Sequence, residues 1–172
     1  MLRKSLYKII VPALLLLSSS QLRAQGDLIR QQNCDISAYQ HAIDSLKTLF
    51  AEKGFTVLRE ASMAMESEYE MPIVLPMTQN TWYQFIFIGD PTSRVYEVRM
   101  YDYNEKEVVY KKNMWGDVDG NIISFDYVAK FSEYHIIKPV QVNKKKKKLC
   151  GYVLLLKKTG PGAGEKVVTK QP

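Results

Sequence analysis

The sequence predicts a mainly β domain, an antiparallel jelly-roll-like sandwich of about eight strands preceded by one α-helix. Three observations carry this. After Gly54 the chain is a series of short runs rich in β-branched and aromatic residues, with turn residues about every ten positions. Only one segment, 36–53, repeats apolar residues at helical spacing. One domain's worth of chain, 25–172, follows an export-type N-terminus.

Residues 1–24 read as a secretory signal peptide. Arg3, Lys4 and Lys8 form a basic region, and a nine-residue apolar run, Ile9 to Leu17, follows. Leu22 and Ala24 suit positions −3 and −1 of a cleavage site before Gln25. The run is far short of the about 20 residues a membrane span needs, and Pro12 interrupts it. The expectation is an exported protein, periplasmic or secreted, with no transmembrane span after cleavage. Arg3, Lys4, Lys8 and Arg23 leave with this segment and no acid does. The charge of 24 basic against 18 acidic residues thus falls from +6 to +2. A nucleic-acid partner is not expected at that balance.

Residues 25–34 read as a polar leader. Asp35 or Ser37 is placed to cap a helix, and Ile36, Tyr39, Ile43, Leu46, Leu49 and Phe50 then make one apolar face. Gly54 stops it. The helix is expected to cover an open edge or end of the sandwich.

Strands follow at 55–59 with a weak continuation to 65, then at 72–76, 81–88, 95–101, 107–111, 122–128, 134–142 and 149–156. Pro72 and Pro76 mark an edge strand, since proline cannot donate to a ladder. The stretch from Trp82 to Ile88 is the most apolar. The domain is read as 35–158, and 159–172, opening Thr159-Gly160-Pro161-Gly162, as a tail expected to be disordered. Cys34 and Cys150 allow one disulfide, which an oxidising compartment permits and which would tie the start of the domain to its last strand. Two separate buried thiols are the alternative.

Tyr83, Phe85 and Phe87 lead into Glu97-Val98-Arg99-Met100-Tyr101-Asp102. Val108-Val109-Tyr110, Ile123-Ser124-Phe125 and Glu133-Tyr134-His135-Ile136 follow, before a closing apolar strand. Over residues 83–156 this resembles the bacterial pre-peptidase C-terminal type of jelly-roll domain, although Tyr103 stands where that family has a glycine after the Asp turn. The resemblance implies a non-catalytic accessory module that binds carbohydrate or protein. The Ala24-Gln25 junction and tyrosine-rich strands also resemble exported proteins of Bacteroidota.

No nucleophile motif or zinc motif occurs, and His41 and His135 are the only histidines. No cofactor and no catalytic residue are expected. Glu66, Glu68 and Glu70 alternate and would share one face of a strand, or form a solvated connection before Pro72. Asp117, Asp119 and Asn121 with Gly120 offer the start of a calcium loop, but the closing bidentate Glu is missing and a hairpin turn explains the same residues. Lys144, Lys145, Lys146, Lys147 and Lys148 form a basic tip between two apolar strands, suited to an acidic partner or to discouraging edge pairing. Trp82 and Trp115, with Tyr83, Tyr101, Tyr103 and Tyr110, are candidates for a sugar-stacking platform. Trp115 and Tyr103 are the foremost binding candidates. The leading function is a non-catalytic accessory protein that binds another envelope protein. A carbohydrate-binding module is the alternative, and a hydrolase with an unrecognised site comes last.

Overall fold

The computed structural model describes residues 33–160, all within the compact unit Gln31–Pro172. The segment read as a signal peptide, most of the expected polar leader and most of the expected tail lie outside the described residues.

A 3₁₀ turn, Ser37–Tyr39, runs into helix α1, Gln40–Glu52. The Asp35 carboxylate accepts the Ser37 amide at 2.9 Å, and this bond holds its pKa below the ordinary value. At the far end Gly54 takes φ 80°, a left-handed conformation that costs glycine little and lets the chain reverse into the first strand.

Eight strands follow: β1 Phe55–Glu66, β2 Ile73–Met77, β3 Trp82–Ile88, β4 Val95–Tyr101, β5 Glu107–Met114, β6 Ile122–Val128, β7 Glu133–Val142 and β8 Lys148–Lys158. They form two four-stranded antiparallel sheets, ordered β1-β8-β3-β6 and β2-β7-β4-β5. All but one of the connections cross between sheets, the β4–β5 hairpin being the exception. This is the winding of a jelly roll. The expected fold class is what the molecule adopts.

Two cores hold it. Between the sheets lie Met63, Leu75, Phe85, Phe87, Val98, Met100, Ile137 and Leu155 with their neighbours. On the other side of the first sheet, Tyr39, Ile43 and Phe50 of the helical segment meet Ile86, Ile88, Leu154 and Leu156. The helix therefore covers a sheet face, not an edge or end. The reason is visible in β3 and β8, which are buried at nearly every position, whereas β4 and β7 alternate. A strand that is apolar on both faces needs cover on both.

The Cys34–Cys150 disulfide is formed, with Cα atoms 5.7 Å apart and a sequence separation of 116. It ties the chain ahead of the helix to the central strand β8. The glutamates do not share a face: Glu66 ends β1, Glu68 turns at φ 75°, and Glu70 pairs with Lys138 at 2.9 Å.

Candidate functional site

The lysine run sits at one end of the sandwich, where the β1–β2, β3–β4, β5–β6 and β7–β8 connections meet. Hydrogen bonds tie these four loops together. Ser67 N donates to Lys147 O at 2.8 Å, and Asn143 N donates to Ser67 Oγ at 2.8 Å. Arg94 N reaches Val142 O and Trp115 N reaches Arg94 O, both at 2.8 Å. Asn121 Nδ2 donates to Gly89 O at 2.7 Å, and Gly89 N returns a bond to Asn121 O at 2.8 Å.

Asp90 lies beneath this surface and is buried. Its carboxylate accepts Lys146 Nζ at 2.7 Å, Thr92 Oγ1 at 2.6 Å and Thr92 N at 3.0 Å. Burial is the largest influence on its pKa and pushes it up. The bonds from Lys146 and Thr92 together outweigh burial and hold it below the ordinary carboxylate value. Gln141, also buried, accepts Asp90 N at 2.7 Å and donates to Cys150 O at 3.2 Å. The Tyr96 hydroxyl donates to Asp90 O and Ser93 O, and burial raises its pKa to about 12. Gly89 leaves room for that ring: an added Cβ would lie 2.5 Å from it.

The five lysines are thus not equivalent. Lys146 is drawn inward onto Asp90, and Lys148 begins β8 opposite Glu66. The turn is set by Asn143, whose Oδ1 accepts Lys145 N at 2.9 Å and Lys146 N at 3.1 Å. Lys144, Lys145 and Lys147 are exposed, and among the described residues none has an ion-pair partner. At the same end, Trp115 is 75% exposed, and Met114 and Val118 also face solvent. The surface therefore offers exposed lysines without ion-pair partners among the described residues, and an apolar crest at the same hydrogen-bonded loop end.

The calcium candidates serve the β5–β6 turn. Asp117 Oδ2 accepts Met114 N at 2.5 Å, Asp119 O accepts Ile122 N at 3.0 Å, and the Asn121 amide is bonded to Gly89. Gly116 and Gly120 carry the positive φ values that close this turn.

The aromatic candidates do not assemble into one platform, because the strands carry them to different places. Tyr103 lies in the β4–β5 turn, at the opposite end of β5 from Trp115. Tyr83 is buried. Tyr101 and Tyr110 lie on the outer face of the second sheet under Lys138 and Arg99. Trp82 packs near Phe55 and under Lys158.

At the Tyr103 end lies a cleft of about 420 Å³ walled by Asp102, Glu107, Tyr127, Phe131 and Glu133, with Lys106 and Lys130 at its sides. Just inside, His135 is wholly buried. Its Nε2 is 3.1 Å from the Tyr127 hydroxyl and 3.6 Å from Glu133, while Nδ1 has no partner among the described residues. Burial, then the charges of Glu133 and Asp102, raise the Tyr127 pKa. The sequence pattern assigns no role to His135 and does not mark Phe131, which is 64% exposed. Neither Asp90 nor Asn143 stands out in the sequence. An Asx residue just ahead of the lysine run was the available signal for the latter.

No protein-family model matches the chain, and no curated protein matches it. Among solved structures, a CBM4 structure aligns at 11% identity over 64% of this chain and 81% of its own, with a TM-score of 0.38. The disulfide-linked pili of Bacillus endospore appendages align at 10% identity over 62% and 89%, with a TM-score of 0.37. TmCBM61 in complex with beta-1,4-galactotriose aligns at 11% identity over 61% and 83%, with a TM-score of 0.33. Similarity this low carries no inference about function.

Proposed function

We propose that this is an exported, non-catalytic binding domain that docks an acidic envelope protein on its four-loop end. The observation that carries the reading is the fixed basic turn. Lys146 is spent on Asp90, which orders the loop, and Lys144, Lys145 and Lys147 have no ion-pair partner among the described residues and share the loop end with Trp115. A preordered loop loses less entropy on binding. Tryptophan is enriched among interface hot spots, and nearby lysines speed the approach of an acidic partner. Export rests on the N-terminal segment and accords with the disulfide. Among the described residues no helix is long and apolar enough to cross a membrane.

The test is crosslinking in the native envelope, comparing the parent with a Lys144→Gln, Lys145→Gln, Lys147→Gln variant and with Trp115→Ala. One specific partner, lost in both variants and weakened by salt, is the expected result. A partner retained by both variants would refute it.

The second reading is glycan recognition, supported by a cleft at the other end of β5 from Trp115. The cleft at the Tyr103 end joins an exposed ring, Phe131, to the carboxylates of Asp102, Glu107 and Glu133, a combination able to stack on and hydrogen-bond a sugar. Glycan-array binding that disappears in Phe131→Ala and survives in Trp115→Ala would favour it.

A further inference from the structure

A separate cleft opens between the edge strands β1 and β2, where the two sheets part. It comprises adjoining spaces of about 300 and 230 Å³ that share Arg59, Leu75 and Leu155 as walls. Met63, Leu75, Phe85 and Leu155 form the floor, all nearly buried in the inter-sheet core.

Two cations stand over this apolar floor. The register of β1 on β8 shifts between Val57 and Arg59, and Leu58 and Arg59 both line the cleft. Such a bulge re-aims the side chains of an edge strand. Lys157 enters from β8, two residues beyond Leu155 and so on the same face of that strand. Among the described residues neither Arg59 nor Lys157 has an ion-pair partner. The one acid in the wall, Glu60, is committed to Lys47 at 2.5 Å and to the Tyr152 hydroxyl, which belong to the helix side of the sheet. The Thr78 amide donates to the Tyr83 hydroxyl oxygen at 2.8 Å. What the cleft leaves unsatisfied is positive charge above apolar surface, within the size range of small-molecule sites.

We propose that this cleft binds an anionic amphiphile: one unbranched apolar chain laid between β1 and β2 over Leu75 and Leu155, its carboxylate held by Arg59 and Lys157. The guanidinium offers the carboxylate a paired, charge-assisted contact and Lys157 adds a second cation. The site lies apart from the four-loop end and does not rest on the docking reading.

Titration of the folded protein with dodecanoate below its micelle threshold, followed by calorimetry and amide chemical shifts, tests this. Dodecanol serves as the uncharged control. The expected result is saturable one-to-one binding of dodecanoate, with shifts at Leu75, Phe85 and Leu155. An Arg59→Gln, Lys157→Gln variant should bind dodecanoate at least about tenfold more weakly and dodecanol unchanged. Both substitutions are at the cleft rim, and an unchanged melting temperature verifies folding. Ala61→Phe, which places a ring in the cleft, should block both ligands. Absence of saturable binding, or equal dodecanoate affinity in parent and double variant, would overturn the proposal. So would a ligand-free dimer whose dissociation moves the same amides, which would assign the cleft to a second copy of the chain.

Discussion

Replacing Asp90 with asparagine isolates the bond that orders the lysine loop. Asparagine keeps the shape and leaves one oxygen for Thr92, but it sets an amide against Lys146. A hydrogen bond to a charged group contributes about 1.5–3 kcal/mol. Lys146 is half exposed, at 53%, and water recovers part of that, so the expected loss is about 1–2 kcal/mol. For a domain of this size the melting temperature should fall by about 2–8 °C. Amide exchange should quicken at Lys145 and Lys146, whose backbone turn rests on Asn143 above Asp90. The effect depends on pH in a known direction. The folded carboxylate titrates below its unfolded value, so its stabilisation is full above the unfolded pKa of about 4 and is lost as pH falls through the folded pKa. The gap between Asp90→Asn and the parent should therefore narrow as pH falls below about 4, apart from other acid effects common to both. Lys146→Met should shrink the acid-linked loss, because burial then pushes Asp90 upward with less to oppose it. Thermal unfolding from pH 3 to pH 8 measures all of this. An Asp90→Asn protein as stable as the parent at pH 7, with unchanged exchange at Lys146, would refute the account of the loop.

Three further outcomes are expected. Removing the disulfide with Cys34→Ser and Cys150→Ser should cost about 2–5 kcal/mol, given the 116-residue separation it closes, and denaturant titration of both forms measures it. Ile43→Ala should cost about 2–5 kcal/mol, because that side chain is buried between the helix and the outer face of the first sheet. A loss under 0.5 kcal/mol would mean the helix is not packed there. Gly89→Ala should cost about 1–3 kcal/mol, since its Cβ would meet the Tyr96 ring, which the hydroxyl bonds to Asp90 and Ser93 hold in place; a second substitution, Tyr96→Leu, should relieve part of that cost.

The strands were legible because each is a local event: β-branched and aromatic runs broken by Gly89-Asp90-Pro91, Asp102-Tyr103-Asn104 and Asp119-Gly120-Asn121. The helix was legible from its apolar spacing, but its seat was not. That seat follows from a comparison among strands. Positions 83–88 and 152–156 are buried on both faces, whereas 95–101 and 133–142 alternate, and only the first pair can carry a second layer. The disulfide was one of two readings left open, and the fold chose it by bringing β8 beside the segment ahead of the helix. At the surface, Trp115 and the lysine run were found by type, and the structure places both at the four-loop end. Asp90 and Lys146 are 56 residues apart, and no local pattern marks two such residues as partners. Tyr103 was grouped with Trp115 because both are aromatic and near in sequence, but an extended strand of eight residues carries them to opposite ends.

The central claim is that the four-loop end is the contact surface. The most direct test is a photo-crosslinking residue at Val118, at Phe131 or on the helix at His41, each introduced singly and activated in the native envelope. The account predicts one specific adduct from Val118, absent from His41 and Phe131, and abolished by Lys144→Gln, Lys145→Gln, Lys147→Gln. An adduct from Phe131 alone, or one from Val118 that survives loss of the three lysines, would contradict it.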